Sequence, residues 1–234
     1  MGRLAVFVVA CAVACAVVVG AVGAPTTGTA PVALASRDTA LSRVAVIGDS
    51  YTTGSDQGGQ GPNAWTVRSW QTLARQGYQI TPDVAAEGGA GYAVRGNRGS
   101  VFRDLTPAVV RPDDALVLFF GSRNDKGVDP AVLAGSAFDC FLFVRAVAPS
   151  ARLLVIGPPW PTADVPPDVL QVRDVLYGQA RAIGATWIDP IAERWFVGRP
   201  DLIGQDGVHP TDAGHAYMAD KIAPLIAAQL PRQV

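Results

Sequence analysis

The sequence predicts one α/β domain, a three-layer α/β/α sandwich around a five-stranded parallel sheet. Three observations lead to this prediction. From about Ser42 onward, short β-branched apolar runs alternate with longer helical patterns, which is typical of a parallel sheet covered by helices on both faces. Without an N-terminal export segment, about 200 residues remain, enough for one domain with a full core. Two glycine-rich segments, 54–61 and 88–99, follow the first two strands, where an open α/β sheet builds its ligand site.

The individual elements follow from local hydrophobic patterns. The strand candidates are short and mostly apolar: 43–47, 80–85, 115–120, 153–156 and 186–188. The helix candidates are longer stretches: 64–76, 101–110, 131–148, 168–183 and 212–229. A helix candidate follows each strand candidate, so the sequence predicts five βα units in one domain, 42–234.

The first 24 residues have the pattern of an export signal. Arg3 supplies a positive start, and residues 4–22 form an apolar run without a charge. Small residues suit cleavage after Ala24 or after Ala35. At 19 residues the run also reaches the length of a membrane span, so membrane association through an uncleaved anchor is the alternative. Residues 25–41 are predicted to be a flexible tether, and the domain is expected to be secreted or in the cell envelope.

Charge and cysteine content limit the partners and the redox chemistry. The chain has 19 Lys and Arg against 20 Asp and Glu, without a basic stripe, so we expect no nucleic-acid partner. Cys11 and Cys15 lie in the signal, which leaves Cys140 alone in the domain and allows no internal disulfide after cleavage. Cys140 lies in an apolar helical stretch and is expected to be buried rather than reactive.

The strongest local signal is the segment 44–54, a buried strand that ends in a turn presenting Ser50. Gly48 permits a sharp turn, and Ser50, at or near the start of a helical segment, would have backbone N–H groups close to a developing oxyanion. The tripeptide from Gly48 to Ser50 is also an ordinary strand-ending turn or helix N-cap. By itself it therefore does not establish a nucleophile.

A second signal lies near the other end of the chain. The neutral imidazole of His209 could take the proton of Ser50, and Asp206 could turn back across Gly207 to orient that ring. Pro210 disfavours helix at the residue before it and suits the first helical turn. Asp206 and His209 are therefore expected in a loop that precedes the last helix.

The same region offers a metal-binding alternative. Asp206, His209, Asp212 and His215 recur at three-residue spacing, but half of this set precedes the helix, and only two His occur in the chain. We therefore expect no metal, and we expect His215 to be a packing or surface residue.

The motif from Gly48 to Ser50 and the motif Asp206-x-x-His209 resemble the first and last blocks of the SGNH hydrolases, also called GDSL-like esterases and lipases. In that family a Gly after the second strand and an Asn after the third complete the oxyanion hole. The resemblance indicates the backbone N–H of Gly91, with Gly88 or Gly89 as the alternative.

The resemblance also indicates the side-chain amide of Asn124 as an oxyanion donor. The segment 121–125 contains one residue more than the family block Gly-x-Asn-Asp, which leaves the geometry of this loop open. Asp125 is expected to be structural. Arg123 would either meet an anionic or polyhydroxylated substrate or pair with a surface carboxylate, and the sequence leaves both readings open.

This resemblance implies a flavodoxin-like fold and an exported serine hydrolase that cleaves small-molecule, lipid or glycan esters. The implied machinery is a triad of Ser50, His209 and Asp206, an acyl-enzyme, and an oxyanion hole of Ser50, Gly91 and Asn124, without a cofactor. Two alternatives use the same fold: an envelope acyltransferase with the same site, and a noncatalytic carbohydrate- or lipid-binding domain. We expect a preference for short to medium acyl chains, because no lid-like apolar insertion is evident.

Overall fold

The computed structural model describes residues 41–230, and a five-stranded sheet with all strands parallel forms its centre. The strands are β1 (Ser42–Gly48), β2 (Ile80–Ala86), β3 (Asp114–Phe120), β4 (Arg152–Ile156) and β5 (Thr186–Ile188). Their order is β2-β1-β3-β4-β5, the flavodoxin-like order. The predicted export signal, 1–24, and the predicted tether up to residue 40 lie outside the described residues.

Helices cover both faces of this sheet. They are α1 (Ser50–Thr53), α2 (Trp65–Arg75), α3 (Phe102–Val109), α4 (Pro130–Val147), α5 (Pro167–Ala182) and α6 (Asp212–Gln229). Helices α3, α4 and α5 share one hydrophobic core with the sheet, and α2 and α6 share the other. Strand β1 shows the division, because Val44 and Val46 pack in the second core while Ala45 and Ile47 pack in the first. The three-layer α/β/α prediction is therefore confirmed.

The predicted elements agree closely with the observed ones. Each of the ten predicted segments ends within one residue of its observed counterpart. The helical segment expected at Ser50 is α1, whose bounds could not be predicted because four residues are too few to show a helical period.

Helix α4 is long and apolar enough, by length and composition, to cross a membrane, and it is the one such helix among residues 41–230. One of its faces, which includes Phe141 and Val144, is buried in the first core. Cys140 is on the same face, and burial raises the pKa of its thiol to about 12. The prediction that Cys140 is buried is confirmed, and the raised thiol pKa supports the expectation that it is unreactive.

The carboxyl ends of the central strands bring the glycine-rich loops together. The Glu87 N–H, just after β2, donates to the carbonyl oxygen of Gly48 at the end of β1, with 3.1 Å between the atoms. Strand β3 pairs with β1 on its other side and ends beside Gly48. The loops after β1, β2 and β3 therefore start from one edge of the sheet.

Candidate active site

Ser50 is the first residue of α1 and follows β1 after a tight turn. A Cβ at Gly48 would lie 2.2 Å from Oγ1 of Thr52, so the turn requires glycine. Asp49 caps the helix by accepting a hydrogen bond of 2.9 Å from the N–H of Tyr51. The N–H of Ser50 itself has no acceptor among the described residues. The turn therefore presents both a hydroxyl and a free backbone donor.

His209 lies between Ser50 and Asp206. Its Nε2 is 3.0 Å from Oγ of Ser50, and its Nδ1 is 2.6 Å from Oδ2 of Asp206. When Nδ1–H donates to the carboxylate, the lone pair of Nε2 faces the serine hydroxyl, which is the tautomer that a general base needs. The structure thus brings together the three side chains that the sequence singled out, over a separation of 159 residues.

The turn that holds His209 is built by the same aspartate. Oδ1 of Asp206 accepts the N–H groups of Val208 and His209 at 2.8 and 2.9 Å. Gly207 has a φ of 66°, a left-handed conformation that lets the chain turn back over the carboxylate. Desolvation acts to raise the pKa of Asp206, but the hydrogen bonds from the His209 ring and from these two N–H groups lower it overall. The carboxylate therefore stays charged beside the imidazole at neutral pH.

Tyr51 ties the serine turn to the histidine turn. Its ring is buried, and its hydroxyl donates to the carbonyl oxygen of Val208 at 2.5 Å. The sequence analysis missed this residue, because its partner is 157 positions away and no local pattern marks it. Tyr51 fixes the backbone next to His209 at a constant distance from α1.

Asn124 lies in a short 3₁₀ turn, Arg123–Asp125, after β3. The hydroxyl of Ser122 accepts the Asn124 N–H, and the Asn124 amide donates to the carbonyl oxygen of Ala90 at 2.8 Å. The same Nδ2 lies 3.4 Å from Oδ2 of Asp49, which is a long contact. One amide hydrogen is therefore only weakly engaged and faces the serine turn.

Asp49 itself is buried, and this burial is the main reason why its pKa rises to about 7. The sequence analysis treated it only as part of the motif. In the structure its two oxygens face the N–H of Tyr51 and the amide of Asn124, so it links the β1 turn to the β3 turn.

The expectation that Gly91 donates to an oxyanion is wrong. Its N–H donates to the carbonyl oxygen of Val94 at 2.8 Å, and its Cα faces Asp125, whose carboxylate would lie 2.4 Å from a Cβ at this position. Asp125 is buried and accepts three consecutive N–H groups, from 92 to 94, which fixes this segment, and Gly91 is not part of the cleft wall that contains Ser50. Asp125 is thus a structural residue, as expected.

Gly88 and Gly89, the alternatives to Gly91, lie in the cleft. They are the central residues of a turn closed by the Ala90 N–H and the Glu87 carbonyl oxygen, and Gly89 has a φ of 78°. Neither glycine N–H has an acceptor among the described residues. Gly91 was chosen wrongly because several glycines lie close together in the sequence. Only the contacts of Asp125 with residues 92–94 show which glycine N–H groups stay free.

A cleft of about 530 Å³ contains the reactive side chains. Ser50, His209 and Asn124 lie in its wall. The other wall residues come from the loops after β1, β2 and β3: Thr53, Gly54, Ser55, Asp56, Glu87, Gly88, Gly89, Asn97, Arg98 and Arg123. The wall is thus mostly polar or glycine, without a large apolar side chain.

Glu87 is a buried carboxylate of this wall that the sequence analysis missed. It accepts the N–H groups of Arg98 and Ser100, and Oε2 lies 3.7 Å from Nε of Arg98. The Ser100 side chain is the main reason why the pKa of Glu87 is lowered. Glu87 therefore holds the second glycine-rich loop against the cleft.

Helix α6 holds the first glycine-rich loop. Asp212 accepts the Gly59 N–H and the Asn63 side-chain amide, both at 2.8 Å. His215 is fully buried, and its Nδ1 accepts the N–H of Trp65 at 3.3 Å. Of the four residues of the metal alternative, Asp206 and His209 thus bond to each other, whereas Asp212 and His215 bond to other residues. The part of the chain from 41 to 230 contains no group of three or more potential metal ligands.

Burial lowers the pKa of His215 from 6.5 to about 4. Since unfolded chains bind this proton more readily than the folded protein does, the stability contribution is complete above pH 6.5 and is lost as the pH falls towards 4. We expect a loss of about 3 kcal/mol in the free energy of unfolding from this residue over that window.

Urea titrations at several pH values, on the wild type and on His215→Gln, measure this loss. Asp49, whose pKa is raised to about 7, also titrates in this range. It does so in both proteins, so its contribution cancels when the two pH dependences are subtracted. Equal pH slopes for the two proteins between pH 6.5 and 4 would contradict the assignment.

The profile of the GDSL-like Lipase/Acylhydrolase family matches residues 46–217. A GDSL lipase of Mycobacterium tuberculosis (strain ATCC 25618 / H37Rv) is 63% identical over 196 residues, which are 82% of this chain and 85% of that protein.

Two solved structures illustrate the similarity of fold. The lipase/acylhydrolase from Enterococcus faecalis matches with a TM-score of 0.68 at 16% identity, over 83% of this chain and 100% of that one. The psychrotrophic esterase EstA from Pseudoalteromonas sp. matches with a TM-score of 0.62 at 16% identity, over 80% and 97% of the two chains.

Proposed function

This chain belongs to the GDSL-like lipase/acylhydrolase family, and from that premise we propose that it is an exported serine hydrolase that cleaves carboxylic esters. The observation that carries the proposal is the hydrogen-bonded series of Ser50 Oγ, the His209 imidazole and the Asp206 carboxylate, with separations of 3.0 and 2.6 Å. A binding domain without activity would have no need for this alignment, whereas nucleophilic catalysis depends on it.

The first half of the reaction forms an acyl-enzyme. Oγ of Ser50 attacks the ester carbonyl carbon while Nε2 of His209 accepts the hydroxyl proton. Asp206 holds the ring and stabilises the imidazolium. When the tetrahedral intermediate collapses, the bond to the alcohol oxygen breaks and His209 returns the proton to the departing alcohol.

The second half releases the acid. His209 removes a proton from water, the resulting oxygen attacks the acyl carbon, and the Ser50 oxygen leaves with the proton that His209 carries. All bonds and protons balance among the ester, water and these two side chains, so the cycle requires no cofactor.

The negative charge on the carbonyl oxygen requires donors in both halves. We assign this role to the N–H of Ser50, the N–H groups of the Gly88–Gly89 turn and the amide of Asn124, which share the wall of one cleft. The backbone N–H groups of Ser50, Gly88 and Gly89 have no acceptor among the described residues, and the long Asn124 contact to Asp49 can give way to the oxyanion at little cost.

Export rests on the apolar run at 4–22, outside the described residues. Secretion or retention in the cell envelope through an uncleaved anchor are the two forms of this proposal. N-terminal sequencing of the mature protein distinguishes them.

The cleft predicts a preference for short to medium acyl chains. Its walls have no large apolar side chains, and the more apolar cleft of about 380 Å³ beside Phe196 and Ile203 does not include Ser50 or His209. We therefore expect kcat/KM to stop rising with acyl length at roughly eight carbons, since each further methylene gains little burial, and to fall for longer chains that do not fit the cleft.

A panel of 4-nitrophenyl esters of increasing acyl length tests this preference, with quantification of free acid to separate hydrolysis from acyl transfer. Activity confined to long-chain esters would show that the apolar cleft or another surface binds the acyl chain. Release of the alcohol without equivalent free acid would instead favour transfer to an acceptor.

A further inference from the structure

We propose that Arg123 is a specificity-determining residue that binds an anionic group, a carboxylate or a phosphate, on the ester substrate. The inference rests on the proposed hydrolase function and names the substrate class that this site selects. The supporting observations are the position of Arg123, the absence of an ion pair or hydrogen bond at its guanidinium among the described residues, and the cation–π contact of this group with Trp160.

The position of Arg123 links its charge to the reaction. It is the residue immediately before Asn124, in the 3₁₀ turn after β3, and it lies in the wall of the cleft that contains Ser50 and His209. The positive charge of Arg123 also opposes the effect of burial on the pKa of Asp49, so the charge acts close to the serine turn. A group bound by this side chain therefore belongs to a molecule whose ester carbonyl can reach Ser50.

The Arg123 guanidinium has no ion-pair or hydrogen-bond partner within residues 41–230. No carboxylate lies within 4.0 Å of it, and it makes no hydrogen bond, whereas the other arginine of the cleft, Arg98, contacts Glu87 and the carbonyl oxygen of Ala86. The sequence left two roles open for Arg123, contact with the substrate or pairing with a surface carboxylate. The structure does not show the second. Five donors remain available to a ligand.

Trp160 holds the guanidinium in place. The Arg123 Cζ lies 5.4 Å from the centre of the indole ring, which is a cation–π contact. The ring is fixed by its own N–H, which donates to the carbonyl oxygen of Asp164 at 2.8 Å. This contact restricts the guanidinium without taking its N–H groups into a hydrogen bond, so they stay available for a bidentate contact with a planar or tetrahedral anion.

Asp56 is the other charged side chain of this wall without an ion pair among the described residues. It is exposed on the loop after β1, and nothing comparable to Trp160 fixes its position. We therefore assign the selection to Arg123 and use a cationic ester as the test of Asp56.

Matched pairs of esters test the proposal. On the alcohol side, three acetate esters are compared: the anionic 4-acetoxybenzoate, the neutral 4-acetoxybenzamide and the cationic 4-acetoxybenzyltrimethylammonium. On the acyl side, the mono-4-nitrophenyl ester of adipic acid is compared with its terminal amide. The anionic ester carries a carboxylate in both comparisons. The comparison that shows the effect therefore tells whether Arg123 binds an anion on the alcohol part or on the acyl part of the substrate.

In one arm we expect the wild type to favour the anionic ester about tenfold in kcat/KM over its neutral partner, and the ratio to fall about tenfold in Arg123→Gln. Arg123→Lys keeps the charge without the stacked fork and should give an intermediate ratio. The ratio should also decrease at high salt. The control is Arg103→Gln, because Arg103 stacks on Phe143 at 4.6 Å and is not part of the cleft wall; this variant should keep the wild-type ratio.

Three results would overturn the inference: equal rates within both pairs, a preference for the cationic ester, or an equal loss on charged and neutral esters in Arg123→Gln. The last would mean that Arg123 supports the oxyanion rather than the substrate. Failure of the wild type to hydrolyse any of these esters would be a different result, since it would reject the proposed function and the inference with it.

Discussion

Ser50→Ala is expected to lower kcat for ester hydrolysis about a million-fold, to a residual rate that the remaining oxyanion donors keep above the uncatalysed one. The substitution removes the hydroxyl that lies 3.0 Å from Nε2 of His209 and leaves no other nucleophile at that point. Ser50 is partly exposed and its Oγ makes no contact in the core, so the variant should fold normally.

Initial rates of 4-nitrophenyl acetate hydrolysis, with circular dichroism to verify folding, measure this effect. Ser150→Ala is the matched control, because Ser150 is exposed and lies outside the cleft. Since the serine and the imidazole act as a unit, Ser50→Ala combined with His209→Ala should be no slower than either single variant. A loss below a hundredfold in Ser50→Ala would mean that another group attacks the ester.

Asp206→Asn is expected to lower kcat about ten-thousand-fold while the turn around it persists. The amide oxygen of asparagine can still accept the N–H groups of Val208 and His209, which Oδ1 of Asp206 accepts now. An amide NH₂ in place of Oδ2 cannot accept Nδ1–H, so the ring would expose Nε2–H to Ser50 and lose its function as a base.

The measurement is kcat at pH 8 for Asp206→Asn against the wild type. Asp174→Asn, which changes an exposed carboxylate paired with Arg173, controls for the loss of one charge. If the loss were less than tenfold, the carboxylate would only build the turn and would not orient the imidazole.

The sheet and its helices could be predicted from the sequence because burial on both faces leaves a strong local pattern. Strand β3, with buried residues at nearly every position, is an example. The turn that contains Asp206 and His209 could be predicted as well, since Gly207 between them permits a sharp turn and Pro210 after them disfavours helix at His209. These features depend on residues that are close in sequence.

The features that the sequence could not provide depend on contacts between distant segments. Gly91 was chosen over Gly88 and Gly89 by its position in a motif, whereas the carboxylate of Asp125, more than thirty positions later, determines which N–H groups face the cleft. The contact between Tyr51 and Val208 is of the same kind. The lack of a partner for Arg123 likewise becomes visible only when every neighbouring loop is in place.

The most direct test of Ser50 as the nucleophile and His209 as its base is reaction with a fluorophosphonate, followed by mass spectrometry of the digested protein. We expect a single adduct on Ser50, formed quickly in the wild type and at least a thousandfold more slowly in His209→Ala, because the imidazole must remove the hydroxyl proton. A protein that hydrolyses esters while Ser50 stays unlabelled, or that labels Ser50 equally fast without His209, would contradict these two roles.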